Sequence, residues 1–398
     1  MDIEKATAKG SNGVPGVVMA VVNKDGDYVF KETAGYLSVE EDAAPIQFDT
    51  TFSVASFTKL ITTIAALQCV ERGQITLDEP TDKLLPELAA LPLIEPAENA
   101  EQPFMLKEAT NNITLRHLLT HTSGVCYDVM DPTVMAWRAS RGEESMATKP
   151  DILKAFGHPR IFEAGESWSY GPSIDWAGFL VGRLNKTTLG EYCEENIFTP
   201  LKMESTTWRL DQKPSVEERL MPISLRMPDG KFVTGPANFV SERPIVDELG
   251  GAGLHTSVPD YTRVLADLLK ESPTLLKKET VDMMFTPQFE VGSKPHDGEY
   301  KQAALTSRGL VGGTIHEGIR PILNFGLGAM VTVEDIKTDV YYKPKGTLSW
   351  SGMPNLVWAI NRELGLAWVY ATQILPWDDD FSFNLAMQFE TKVWKMKP

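Results

Sequence analysis

Residues 53–73 read SVASFTKLITTIAALQCVERG, and this stretch organises the rest of the chain. From Phe57 to Arg72 it has the length of a helix and is apolar on nearly every face, with Gly73 at the C-cap position. A helix that is apolar all round is a buried one. Ser56 and Lys59 stand at its head, three residues apart on one helical face, so a hydroxyl and an ammonium can meet there. The helix N-terminus adds positive potential and unpaired N–H groups where an oxyanion would develop. A chain of this length holds about one Ser-x-x-Lys tetrad by chance. A serine before a helix is also ordinarily just an N-cap. Two features favour chemistry: no other serine here has Lys at +3, and burial of a lysine at this place is costly without a purpose.

Working outward, residues 16–22 (GVVMAVV) and 28–36 (YVFKETAGY), joined by a turn at Asp25-Gly26, form a β-hairpin. The proline-punctuated acidic stretch 79–104 suits short helical turns and loops better than sheet. Residues 113–121, 173–184 and 188–197 carry helical spacing, so 80–215 is expected to be mainly helical, with no strand signal of comparable strength interrupting it. After a glycine turn from Glu248, Ser257 caps a helix with Pro259 in its first turn. Residues 325–333, 346–350, 355–361 and 364–372 are short apolar runs that form an antiparallel sheet. From Asp378 a terminal helix packs Phe381, Leu385, Phe389 and Val393 on that sheet. Residues from about 289 to 320 are long enough for a lid or a mobile loop, and the loop is favoured.

The expected fold is therefore α/β of the α+β kind, an antiparallel sheet flanked by helices. Residues 1–79 and 216–398 form the sheet domain and 80–215 a mainly helical second domain, with the site between them. A chain of 398 residues suits such a two-domain division. A net charge of -16 without a basic cluster excludes a nucleic-acid partner. Cys69, Cys126 and Cys193 make neither a disulfide framework nor a metal-binding pattern, and are expected as reduced thiols. The start MDIEKATAKGSNG has no signal-peptide core, and no run reaches the ~20 apolar residues of a membrane span. These features point to a cytoplasmic protein without a membrane partner.

Other chemistries fare worse. His117 and His121 are four apart on a helix, but HExxH is absent, and no metal or other cofactor is expected. GGAGLH and FGLGAM lack the third glycine of a dinucleotide fingerprint, and no Gly-x-Ser-x-Gly elbow occurs.

Five ordered blocks carry a family resemblance: residues 53–88, then ITLRHLLTHTSG, SWSYGPSIDWAG, GGAGLHTS and WSGMPN. Together they resemble the class C β-lactamase and family VIII esterase group, and within it the fungal lovastatin-type polyketide acyltransferases, which are transesterases. The resemblance spans about residue 13 to about residue 378. It implies a β-lactamase/transpeptidase-like fold, Ser56 as the acylated nucleophile, and Lys59 and Tyr170 as its proton-handling partners. Trp350-Ser351-Gly352 falls where β-lactamases have Lys-Thr-Gly, and the Met353 N–H would join that of Ser56 in an oxyanion hole. The sequence departs from β-lactamases twice: Pro172 stands at an asparagine position, and Trp350 replaces a cationic lysine that would neutralise a carboxylate. Antibiotic hydrolysis is accordingly not expected.

The chemistry is coherent on physical grounds. A serine hydroxyl needs a base within hydrogen-bond reach. An ammonium stabilises a phenolate beside it, so Tyr170 and Lys59 together can pass one proton between nucleophile and leaving group. Gly250, Gly251 and Gly253 are expected to line the site by letting backbone approach closely. Trp168, Trp176, Trp350 and Trp377 suggest a wide apolar pocket, with Pro172, Ser351, Gly352 and Gly251 at the substrate. The expected reaction takes an acyl group from a small ester or thioester, or from an acyl-carrier protein, to an alcohol of a bulky, polyketide-like product. Ester hydrolysis is the alternative. Retention of Ser56, Lys59 and Tyr170 together argues against a catalytically silent binding protein.

Overall fold

Strand β1 (Gly16–Asn23) is buried along almost its whole length, which explains why its sequence is apolar at successive rather than alternate positions. Val18, Ala20 and Val22 enter one core while Val17, Met19 and Val21 enter another, as the period of two requires. β1 pairs with β2 (Tyr28–Gly35), and Asn23 Oδ1 receives the turn N–H groups of Asp25 and Asp27. Five later strands complete the sheet: β3 (Leu323–Phe325), β4 (Met330–Thr332), β5 (Thr347–Gly352), β6 (Leu356–Asn361) and β7 (Leu366–Ala371). Their order is β2-β1-β7-β6-β5-β4-β3, and every neighbouring pair is antiparallel. The computed structural model describes residues 2–99, 102–239, 242–299 and 323–398, so most of the expected lid or loop at 289–320 lies outside the described residues.

Helices cover both faces. The buried stretch forms α1 (Thr58–Glu71), preceded by a single 3₁₀ turn, Ala55–Phe57. Gly73 follows α1 in the left-handed region. α2 (Ser173–Asn185) packs along α1 and shares its core through Trp176, Ala177, Leu180 and Val181. α3 (Val258–Leu269) begins at Ser257, whose side chain accepts from Asp260 N–H, and lies on β1 and β7. The terminal helix α4 (Asp380–Val393) buries Leu385, Phe389 and Val393 on the opposite face of the sheet. Each such fully buried side chain contributes about 1.5–3 kcal/mol. Phe381 departs from expectation: it is 56% exposed, because it sits in the first turn, beyond the sheet, under the Arg226 guanidinium.

The expectation of a region without strands fails as well. Residues 93–107 form a hairpin, Leu93–Asn99 with Gln102–Lys107, inside the region expected to lack strands. Prolines argue against a central strand, yet Pro96 and Pro103 are tolerated because a two-stranded ribbon has open edges. The hairpin is held by packing of Ile94 and Phe104 with Cys126 and Val134, contacts too distant in sequence to leave a local signature. The remaining elements between Pro86 and Phe198 are helical, including Leu115–Leu119, Pro132–Ser140, Ile152–Phe156 and Leu189–Cys193.

Candidate active site

The short strand Thr51–Ser53 pairs with His255–Ser257, which brings the head of α1 against the glycine turn 250–253. Ala55, immediately before Ser56, has φ +43°, a left-handed conformation that costs a residue with a Cβ on the order of 1–3 kcal/mol. Neighbours enforce it. Val54 N–H donates to the Leu254 carbonyl at 3.1 Å, and Leu254 N–H donates to Thr58 Oγ1 at 3.1 Å. The Thr58 hydroxyl in turn donates to the Ala55 carbonyl at 2.6 Å. The strained turn thus holds Ser56 in place before the helix starts.

Ser56 Oγ lies 2.5 Å from Tyr170 Oη and 3.1 Å from Lys59 Nζ. Lys59 is fully buried. An ammonium has three N–H donors, and Lys59 finds three acceptors: Ser56 Oγ, Tyr127 Oη at 3.2 Å and the Gly251 carbonyl at 2.7 Å. Its Nζ also lies 4.7 Å from the centre of the Tyr170 ring. Tyr170 is set among aromatic rings, with centroid separations of 5.1 Å to His121, 5.4 Å to Trp350, 5.5 Å to Tyr127 and 6.4 Å to Trp168. These rings fix the phenol over Ser56 while its hydroxyl stays at the cavity.

The three chemical residues foreseen from the sequence are therefore brought together. Two neighbours were missed, Tyr127 and Asp175. Burial raises the Tyr127 hydroxyl well above its usual range, with Asp175 and Tyr170 adding to the effect. Asp175 is buried in the first turn of α2, and Oδ1 accepts from Gly251 N–H at 2.9 Å. Burial pushes its carboxyl up to about 6, against the opposing pull of Lys59 and of backbone N–H groups. An acid in an otherwise apolar helical run is the one signal that could have flagged it, the same argument that singled out Lys59.

Above Ser56 opens a cavity of about 410 Å³. Trp168, Trp350, Trp377, Phe156, Phe239, Tyr127 and Tyr170 form its aromatic wall, with Val129, Met130 and Met353 as aliphatic lining. Ser351, Thr148, Ala55, Ala147 and Ala252 complete it, and no charged side chain lines it among the described residues. Trp176 differs from expectation. It is a core residue of α2 against Phe179, since its helical position turns it away from the cavity.

Pro172, Gly251 and Gly352 also stand behind the wall rather than in it. Pro172 is the N-cap residue of α2. Gly251 faces Asp175 and Lys59, and a Cβ there would meet Asp175 Oδ2 at 2.2 Å. Gly352 brings β5 against the Ser56 turn, where a Cβ would meet the Val54 carbonyl at 2.5 Å. Gly250 and Gly253 show the same close approach, to the Ile174 carbonyl and to Trp208. His117 accepts from Thr114 N–H through Nδ1 in a capping box, while His121 packs among Trp168, Tyr170 and Phe325. The two histidines thus serve separate structural contacts.

Comparison with known proteins agrees with this geometry. The Beta-lactamase family model matches residues 3–390. The chain is similar to monacolin J acid methylbutanoyltransferase of Aspergillus terreus (strain NIH 2624 / FGSC A1156), with 35% identity over 96% of this chain and 92% of that protein. It is also similar to a lovastatin esterase of Penicillium rubens, with 33% identity over 99% of this chain and 98% of the relative. Among solved structures, unliganded simvastatin synthase from Aspergillus terreus superimposes with a TM-score of 0.85 at 33% identity, covering 98% and 96% of the two chains. The chain belongs to the β-lactamase family of serine acyl-transfer enzymes.

Proposed function

We propose that this protein transfers an acyl group from an ester or thioester to an alcohol of a bulky, polyketide-like compound through an acyl-Ser56 intermediate. A single observation carries the reading: Ser56 Oγ is within hydrogen-bond reach of both Tyr170 Oη and Lys59 Nζ, at the foot of an uncharged aromatic cavity of about 410 Å³. Tyr170 in its phenolate form, which the Lys59 ammonium stabilises, takes the proton as Ser56 Oγ attacks the acyl carbon and becomes the neutral phenol. The carbon–sulfur or carbon–oxygen bond to the donor then breaks, and the departing group receives the proton. The acceptor hydroxyl repeats the sequence in reverse, losing its proton to Tyr170 as it takes the acyl group, and Ser56 is regenerated.

The backbone N–H groups of Ser56 and Met353 are the proposed oxyanion donors. This follows from the close approach of β5 at Gly352 to the turn that carries Ser56. Trp350, Ser351 and Trp377 are the proposed substrate contacts, since all three line the cavity. The relatives named as acting on monacolin J acid and lovastatin support a polycyclic acceptor of comparable bulk. Whether the donor is a free thioester or rides on a carrier protein is decided by supplying both. Among the described residues no helix is long and apolar enough to cross a membrane. The three cysteines are unpaired and buried, which fits a reducing, cytoplasmic setting.

Incubation with a short acyl thioester tests the reading. The intact mass should rise by one acyl group, placed on Ser56 by peptide mapping, and Ser56→Ala should remove both adduct and turnover. An adduct elsewhere, or acylation surviving in the alanine variant, ends it. Hydrolysis is the second reading, favoured by the full-length similarity to a lovastatin esterase.

A further inference from the structure

We propose that Asp175 is a positioning residue of this centre: its buried carboxylate is the counter-charge that keeps Lys59 in the ammonium form and holds the Gly251 backbone against it. The inference rests on the acyl-transfer reading and assigns a role to a residue outside the Ser56, Lys59 and Tyr170 set.

Three observations carry it. Lys59 is removed from water with its three donors directed at neutral oxygens, so nothing in its hydrogen-bond shell cancels its charge. Asp175 supplies the opposite charge from α2, and Lys59 is the charged group that acts on it. One residue links them: Gly251 gives its N–H to Asp175 Oδ1 at 2.9 Å and its carbonyl to Lys59 Nζ at 2.7 Å. The absence of a side chain at Gly251 is what admits the carboxylate, since a Cβ would stand 2.2 Å from Oδ2.

The anion is supported where it stands. It lies in the first turn of a 13-residue helix, where the helix dipole favours negative charge. Its second oxygen, Oδ2, is buried with no hydrogen-bond partner among the described residues, an arrangement that costs stability and is unexpected for a residue serving the fold alone.

The titratable groups around the pair are few. Tyr127 is held protonated by burial and by Asp175 itself. His121, on the Tyr170 side, is held neutral by burial and by Lys59. Glu248, just before the glycine turn, is already paired with Arg209 at 2.7 Å. Lys59 is left as the cation that Asp175 faces, with the Tyr170 ring beside it. Removing a buried negative charge favours loss of a proton from the groups that remain beside it.

The test is the pH profile of kcat/KM for acyl transfer by the full-length enzyme, in wild type, Asp175→Asn and Asp175→Ser. Asparagine keeps an acceptor for Gly251 N–H and loses only the charge, while serine removes the bulk as well. Thermal unfolding of each variant identifies those that are folded. A folded neutral variant should show its whole profile displaced to lower pH by about one unit or more. A merely structural role would lower the activity at every pH without moving the profile. A folded variant with the wild-type profile overturns the proposal, as does failure of both variants to fold, which would make Asp175 a folding residue. The outcome is independent of the Ser56→Ala adduct test, so either reading can fail alone.

Discussion

Tyr170 Oη lies 2.5 Å from Ser56 Oγ although 114 residues separate them, and the phenol is fixed there by rings rather than by its own hydrogen bonds alone. The stacked Trp168, the tilted His121 and Trp350, and the edge of Tyr127 all contact the Tyr170 ring. Position and chemistry are therefore separable, because the ring packs and the hydroxyl reacts.

Tyr170→Phe preserves that packing and removes only the oxygen. Turnover should fall by about 10²-fold or more while the unfolding midpoint stays within a few degrees. Steady-state kinetics beside a thermal melt checks both halves. A folded, fully active phenylalanine variant would return Tyr170 to the core.

Lys59→Met leaves the Asp175 carboxylate buried without its counter-charge. Removing the cation near a buried carboxylate destabilises the fold at neutral pH, because the charge left behind is uncompensated. The cost is pH-dependent because the Asp175 carboxyl sits near 6 in the fold against 3.8 as its ordinary value, and it moves higher without Lys59. A carboxyl raised in the fold binds its proton more tightly folded than unfolded, so acid relieves the penalty. The gap in unfolding midpoint between variant and wild type should be widest near pH 8 and narrow as pH falls toward 5. A gap that grows in acid would contradict the pairing.

Gly251→Ala tests close approach by sterics alone, since Gly251 is not among the glycines with positive φ. Its Cβ would stand 2.2 Å from Asp175 Oδ2, and relief requires moving the carboxylate or the turn. We expect a stability loss of about 1–3 kcal/mol, with activity reduced at least as much as by Asp175→Asn. Unchanged stability and kinetics would show that the turn relaxes freely.

Trp350 forms cavity wall and packs on both Tyr170 and Phe325, at 5.4 and 5.6 Å. Trp350→Ala should raise KM for a bulky alcohol about tenfold and move products from ester toward free acid. Proximity gives a bound hydroxyl its advantage over water, and a widened wall surrenders that advantage. The ester-to-acid ratio across a panel of alcohols measures it. If free acid dominates in the wild type with every acceptor, including large apolar ones, the enzyme is an esterase.

All of the sheet but β3, together with α1, α3 and the Ser56–Lys59 pair, was legible in the sequence because each is written in local periodicity. Apolar runs of strand length, a helix apolar all round, a serine cap before Pro259 and a +3 spacing all need only a few neighbouring residues. Tyr170 became legible only through its block's resemblance to a family, since a lone tyrosine in a chain is ordinarily core. The tertiary structure alone decided the rest. The 93–107 hairpin exists because Cys126 and Val134 pack on it. Trp176 belongs to the core because α2 turns it there. Tyr127 and Asp175 join the site because three separate segments meet at one glycine turn and one ammonium. Burial and Coulomb attraction act through space between residues far apart in the chain. A charge that is ordinary on a surface is controlling beside Lys59, and the fold determines which of the two it is.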